Sequence, residues 1–145
     1  MENLGIAIGA DHGGFRLKEK IVEYLSAKNI KFKDFGTFDE ESCNYPDIAK
    51  KVSQEVATGN FSRGILVCGT GIGMSIVANK VKGIRAALCA DTFSAKASRA
   101  HNDANILCLG QRVTGEGLTL EILDAWLQSE FEGGRHKIRV DMMEC

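Results

Sequence analysis

In this chain of 145 residues, Cys68-Gly69-Thr70-Gly71-Ile72-Gly73 is the segment whose residue types and spacing bear most directly on chemistry. It follows the apolar run 64–67 and opens a helical stretch. Glycines at 71 and 73 let successive backbone N–H groups converge on one point. A helix starting there adds positive potential, so the turn should hold negative charge. A tight turn that needs only glycine's freedom would have the same letters. A dinucleotide fingerprint counted from Gly69 requires glycine at 74, where Met74 stands, and no Gly-Lys-Ser/Thr follows for a P-loop. Beside converging N–H groups a thiol gains thiolate character, which would suit Cys68 as nucleophile, redox centre or proton-transfer base. On sequence alone a buried structural cysteine ranks ahead of these. Thr70 could donate to a developing oxyanion or merely satisfy its own turn.

Three other groups could complete a site. Asp11-His12 follows the first apolar run. His12 could bind a phosphate or a sugar hydroxyl; Asp11 could accept from a hydroxyl, although capping the next helix is the stronger reading. His101-Asn102 closes an alanine-rich helix, where a histidine can act as acid or base near neutral pH or simply favour the helix C-terminus. After Gly133-Gly134, Arg135, Lys137 and Arg139 alternate with His136, Ile138 and Val140. That alternation predicts an extended arm, docked by Ile138 and Val140, with Arg135 and Arg139 on one side for a phosphate dianion. The spacing of four would align the two arginines on a helix as well. A solvated basic tail is the alternative. Arg112 is a further candidate, or an exposed loop arginine.

The elements that must position these residues follow from hydrophobic periodicity. Strands are expected at 4–8, 30–33 (an edge strand), 64–68, 85–89 and 106–109. Helices are expected from 17 to 25, with Lys18, Glu19, Lys20 and Glu23 between the apolar positions; over 46–58, with Pro46 in the first turn; over 74–80; over 92–104; and around 118–127. This βα alternation predicts a parallel sheet covered by helices on both faces, with ligands bound beyond the carboxyl ends of the strands.

The bulk numbers frame that reading. A single domain suits the length. The net charge is −1, with 44% apolar and 26% charged residues, so no strong field favours nucleic acid or an anionic membrane. No apolar run approaches a membrane span, and MENLGIAIGADHGG lacks a signal-peptide pattern, so a cytoplasmic protein is expected. Cys43, Cys68, Cys89, Cys108 and Cys145 contain no CxxC, which removes zinc-ribbon and thioredoxin-like motifs.

Ala10-Asp11-His12-Gly13-Gly14-Phe15, Asn44-Tyr45-Pro46-Asp47, Cys68-Gly69-Thr70-Gly71-Ile72-Gly73, Ala78-Asn79-Lys80, Gly83-Ile84-Arg85-Ala86, Arg99-Ala100-His101-Asn102-Asp103-Ala104-Asn105 and Glu132-Gly133-Gly134-Arg135-His136 resemble ribose-5-phosphate isomerase type B. The resemblance spans nearly the whole chain. It implies a three-layer, Rossmann-like α/β fold with a five-stranded parallel sheet of order 2-1-3-5-4. It implies a homodimer or tetramer with shared active sites, and no metal or cofactor. The implied reaction interconverts ribose-5-phosphate and ribulose-5-phosphate, a pentose phosphate pathway step, with allose-6-phosphate or galactose-6-phosphate as alternative substrates. By position, Cys68 is the base, in place of the glutamate some members use. Thr70 and the backbone of Gly69, Gly71, Ile72 and Gly73 stabilise the enediolate. His101, helped by Asp11, opens the sugar ring. His12, Arg112, Arg135 and Arg139 bind phosphate, some from a partner subunit; Tyr45 and Asn102 contact sugar. A non-catalytic sugar-phosphate sensor and a redox protein built on Cys68 are the rival classes.

Overall fold

In the computed structural model, residues 4–144 are described. Cys145 and the first three residues of the N-terminal reading lie outside them. Five strands, β1 (Ile6–Ala10), β2 (Phe32–Asp34), β3 (Arg63–Cys68), β4 (Ala86–Leu88) and β5 (Ile106–Gly110), form one parallel sheet. Its order is β2-β1-β3-β5-β4, as the resemblance implied. The helices are α1 (Phe15–Ala27), α2 (Tyr45–Ala57), α3 (Ile72–Ala78), α4 (Thr92–Ala100), α5 (Glu116–Gln128) and α6 (Arg135–Met143).

Strand parity divides the core. Ile6, Ile8 and Ala10 of β1, Ile65 and Val67 of β3, and Leu107 and Leu109 of β5 bury against α1, α4 and α5, around Ile21, Leu25, Ala95, Ile122 and Trp126. Their neighbours Ala7, Leu66, Cys68, Ile106 and Cys108 face α2 and α3, around Ala49, Val52, Met74 and Ala78. A sheet buried on both faces requires the continuous apolar strands seen in the sequence. The chain leaves β1 on one side and returns to β3 on the other, so a topological switch point lies between these strands at their carboxyl ends.

Four expectations need correction. β1 starts two residues late because Gly5 has φ +83°, outside the extended region. α4 stops at Ala100, with Asp103 at φ +48° beyond it. Residues 135–140 are helical, not an extended arm: His136 and Val140, four apart, are the buried pair, and Ile138, 66% exposed, does not dock the segment on its own chain. Alternation and a four-residue repeat coexist in this segment, and packing selects the second. Lys18 is no member of a solvated face. It is fully buried three residues before Ile21, with Nζ 2.6 Å from Asp34 Oδ2 and 3.0 Å from Glu19 Oε1.

Candidate active site

Cys68 is the last residue of β3 and is 5% exposed. Its Sγ accepts the Gly71 N–H at 3.0 Å, so the sulfur turns toward the glycine turn. Gly71 takes φ +81°, and a Cβ there would meet Leu88 at 2.5 Å and the Leu109 carbonyl carbon at 3.0 Å, so glycine is required twice over. The Thr70 hydroxyl accepts from Ile72 N–H at 3.2 Å, which leaves its own proton free to donate. α3 has only seven residues, so its dipole is short and the turn's own N–H groups supply most of the local positive field.

The loop after β1 packs directly on this turn. A Cβ on Gly14 would fall 2.5 Å from the Val67 carbonyl carbon and oxygen, and one on Gly13 3.3 Å from Gly69 N. Asp11 is buried, and its Oδ1 accepts the Gly14 N–H at 3.1 Å. It closes the loop and is not the N-cap of α1, a position held by Gly14. His12 Nδ1 accepts the Cys43 N–H at 3.2 Å, which puts the neutral ring's proton on Nε2 as a donor. Arg112 N–H donates to Gly69 O at 2.9 Å, and its side chain lies over Gly69. The Tyr45 ring crosses Gly73, within 2.7 Å of where a Cβ would stand. Asp11, His12, Tyr45, Arg112 and the turn from Cys68 to Gly73 thus meet at the carboxyl ends of β1, β3 and β5, across the switch point.

His101, Asn102, Arg135 and Arg139 lie elsewhere. α4 carries His101 back to the amino edge of the sheet, where Arg85 Nε donates to Asn102 O at 3.0 Å and Asn105 N–H to Arg85 O at 3.0 Å, just ahead of β4 and β5. α6 is held at the same edge: Arg85 pairs with Glu144 at 2.6 Å. A cavity of about 660 Å³ also opens here, lined by Asn79, Lys82, Arg85, Asn102 and Glu144. Strands rise about 3.3 Å per residue, so roughly 13 Å or more of β5 separates the two groups within one chain.

Sequence reasoning assigned no role to Glu132 or His136. The His101 and His136 rings stack at 4.3 Å, 9° from parallel. Glu132 Oε1 lies 3.5 Å from His136 Nε2 and 4.0 Å from His101 Nε2. Burial, then His101 and Arg135, lower the proton affinity of His136. This trio is also a donor set for a cation, all within 4.8 Å. In parallel rings, however, the lone pairs run side by side and do not converge, so an ion at about 2.0–2.1 Å from both nitrogens would have to break the stack.

Cys108 shares the Cys68 face, but the register sets it opposite Leu66 and sets Gly110 opposite Cys68. Burial pushes the Cys108 thiol far up, and that of Cys89 to about 11. Neither suits a resolving thiol, which weighs against the redox reading.

The sequence matches the Ribose/Galactose Isomerase family over residues 6–143. The chain belongs to that family. Among family relatives, ribose-5-P isomerase B of Listeria innocua is 51% identical over 96% of this chain and 94% of its own. The D-erythrulose-4-phosphate isomerase of Pectobacterium atrosepticum is 49% identical over 95% and 91%. The solved structure of Clostridium thermocellum ribose-5-phosphate isomerase B superposes with a TM-score of 0.95 at 52% identity, covering 96% of this chain and 94% of that one. Among the described residues no helix is long and apolar enough to cross a membrane.

Proposed function

We propose that this chain is a cytoplasmic aldose–ketose isomerase that interconverts ribose-5-phosphate and ribulose-5-phosphate through an enediolate. The observation that carries the reading is the Cys68 sulfur, 3.0 Å from the Gly71 N–H at the switch point, with the Thr70 hydroxyl, Asp11, His12 and Arg112 around it. A thiolate at Cys68 removes the proton on C2. The C–H electrons become the C1–C2 double bond of the enediolate while the C1 carbonyl pair moves onto O1; the O2 hydroxyl proton passes to O1, and the thiol returns the carbon proton to C1 as the C2 carbonyl forms. Thr70 and the turn amides take the charge that develops on oxygen. His12 Nε2–H and Arg112 face the phosphate end.

One chain holds only half of this site. His101 for ring opening, Asn102 for the sugar and Arg135 and Arg139 for the phosphate sit at the opposite sheet edge. A second copy, related by a two-fold axis, brings the amino edge of one chain to the carboxyl edge of the other and makes two complete sites. Exposed apolar groups support this pairing. Ile72 and Ile76, 50% and 54% exposed, lie four apart on α3 beside the turn. Ile138 and Met142 flank the arginines on α6 and are 66% and 71% exposed. This face of α6, in the segment 133–145, docks on the partner subunit.

The test mixes Cys68→Ala chains with His101→Asn chains. Each alone should turn over ribose-5-phosphate far more slowly than wild type. Re-associated at random, half of the dimers are mixed and each has one intact site, so about a quarter of wild-type activity returns. No recovery, with mixed dimers confirmed by mass, refutes the shared site. Turnover of ribose-5-, allose-6-, galactose-6- and erythrose-4-phosphates then fixes sugar length. Binding without turnover of any of them would establish the sensor reading instead.

A further inference from the structure

We propose that His136 and Glu132 are positioning residues for His101, the first as a flat platform under its ring and the second as a carboxylate facing its Nε2. The inference rests on the ring-opening role proposed above for His101.

His101 sits at the C-cap of α4, half-exposed, with its backbone N–H donated to Ala97 O. Nothing in α4 fixes the rotation of its ring. His136 does. Its ring is buried at the start of α6 and stacks on His101 at 4.3 Å and 9°. Glu132 Oε1 lies 3.5 Å from His136 Nε2 and 4.0 Å from His101 Nε2, and the Glu132 N–H is tied to Ala100 O at 3.0 Å, so the loop that carries the carboxylate is anchored to the helix that carries His101. The charged or titratable groups acting on His136 are His101 from α4, Glu132 from the loop, and Arg135 and Arg139 from α6 itself.

Ring opening moves the hydroxyl proton of C1 to a base as the bond between C1 and the ring oxygen breaks, and a proton goes to that oxygen. The imidazole that relays it is cationic for part of the step. A neutral aromatic face below it and a carboxylate beside it both favour that cation. Two stacked rings cannot both be charged cheaply, and burial disfavours charge on His136. Arg135 and Arg139 add to this bias by opposing charge on His136.

The experiment compares kcat and KM for ribose-5-phosphate, which is cyclic, with those for ribulose-5-phosphate, whose phosphate on O5 prevents a five-membered ring. The variants are His136→Ala, His136→Phe and Glu132→Gln. A small misplacement of a reacting group can cost up to about 10²-fold. We expect His136→Ala to lower kcat on ribose-5-phosphate about tenfold, with KM nearly unchanged and a smaller loss on the ketose. His136→Phe restores a flat face and recovers most of the rate. Glu132→Gln moves the acidic limb of the aldose pH–kcat profile to lower pH. Equal losses on both substrates, a Phe variant no better than Ala, or an unmoved limb in Glu132→Gln overturns the proposal. Should the Ala variant fail to fold, His136→Leu, bulky but not flat, replaces it in the comparison. His101→Asn separates the two claims: if it treats both substrates alike, the ring-opening role fails; if it discriminates and the His136 variants do not, only the positioning fails.

Discussion

Replacing Cys68 by alanine separates chemistry from structure by magnitude. The Sγ atom accepts one N–H, from Gly71, and sits in a nearly closed pocket, 5% exposed. Losing one hydrogen bond of this kind costs about 1 kcal/mol of stability, or up to about 3 if the Gly71 N–H goes unsatisfied. Losing a general base costs about 10²–10⁴ in rate, which is about 2.7–5.4 kcal/mol of barrier at 1.36 kcal/mol per decade. Cys68→Ala should therefore remain folded, with a modest drop in urea midpoint, and keep a near-normal KM while kcat falls at least roughly a hundredfold. Cys68→Ser restores an acceptor for the Gly71 N–H but offers a far weaker base. It should recover stability and leave kcat low. The assay is coupled turnover of ribose-5-phosphate alongside urea unfolding of the same samples. If Cys68→Ala turns over within a few-fold of wild type, or if Ser restores rate and stability together, Cys68 is a structural residue and proton transfer belongs to another group.

Other perturbations follow from the same geometry. Gly14→Ala forces a Cβ to 2.5 Å from the Val67 carbonyl; overpacking of about 1–3 kcal/mol and a lower kcat should appear together, since the loop that carries Asp11 must lift from Cys68. A variant of normal stability and rate would refute the packing. Lys18→Met leaves Asp34 without its main partner inside the fold; breaking a buried pair costs about 3–5 kcal/mol, with the low end expected because the Asp34 side chain is 19% exposed. An unchanged urea midpoint would contradict it. His136, with its proton affinity lowered by burial and by His101 and its cationic neighbours, holds a proton less firmly in the fold than in the unfolded chain, where histidine titrates near about pH 6.5. The unfolded state then binds more protons, so stability falls as pH drops below that value. His136→Phe should remove this part of the slope, and parallel midpoint curves between pH 7.5 and 5.5 would deny it.

The strands, their alternation with helices and the glycine turn were legible because sheet and helix periods are written locally. Sheet order came from family resemblance, since periodicity cannot say which strand lies beside which. Lys18 was misread because polarity alone assigned it to solvent, whereas its register with Ile21 turns it inward, where Glu19 and the distant Asp34 make that tolerable. The segment after Gly134 was misread because its letters satisfy a period of two and a period of four at once. Glu132 and His136 were visible in the sequence next to Arg135, but nothing local says that the α4 end stops against them. The separation of His101 and the two arginines from Cys68 was equally invisible, because it depends on which edge of the sheet each loop leaves from.

That separation has a bearing on how the protein responds to scarcity. An isolated chain would hold every needed group yet have no place where they coincide. Under the proposed shared site, output per molecule should then fall as the preparation is diluted past the point where neighbours part, and return when it is concentrated, with the sugar phosphate itself favouring reunion by bridging the two copies.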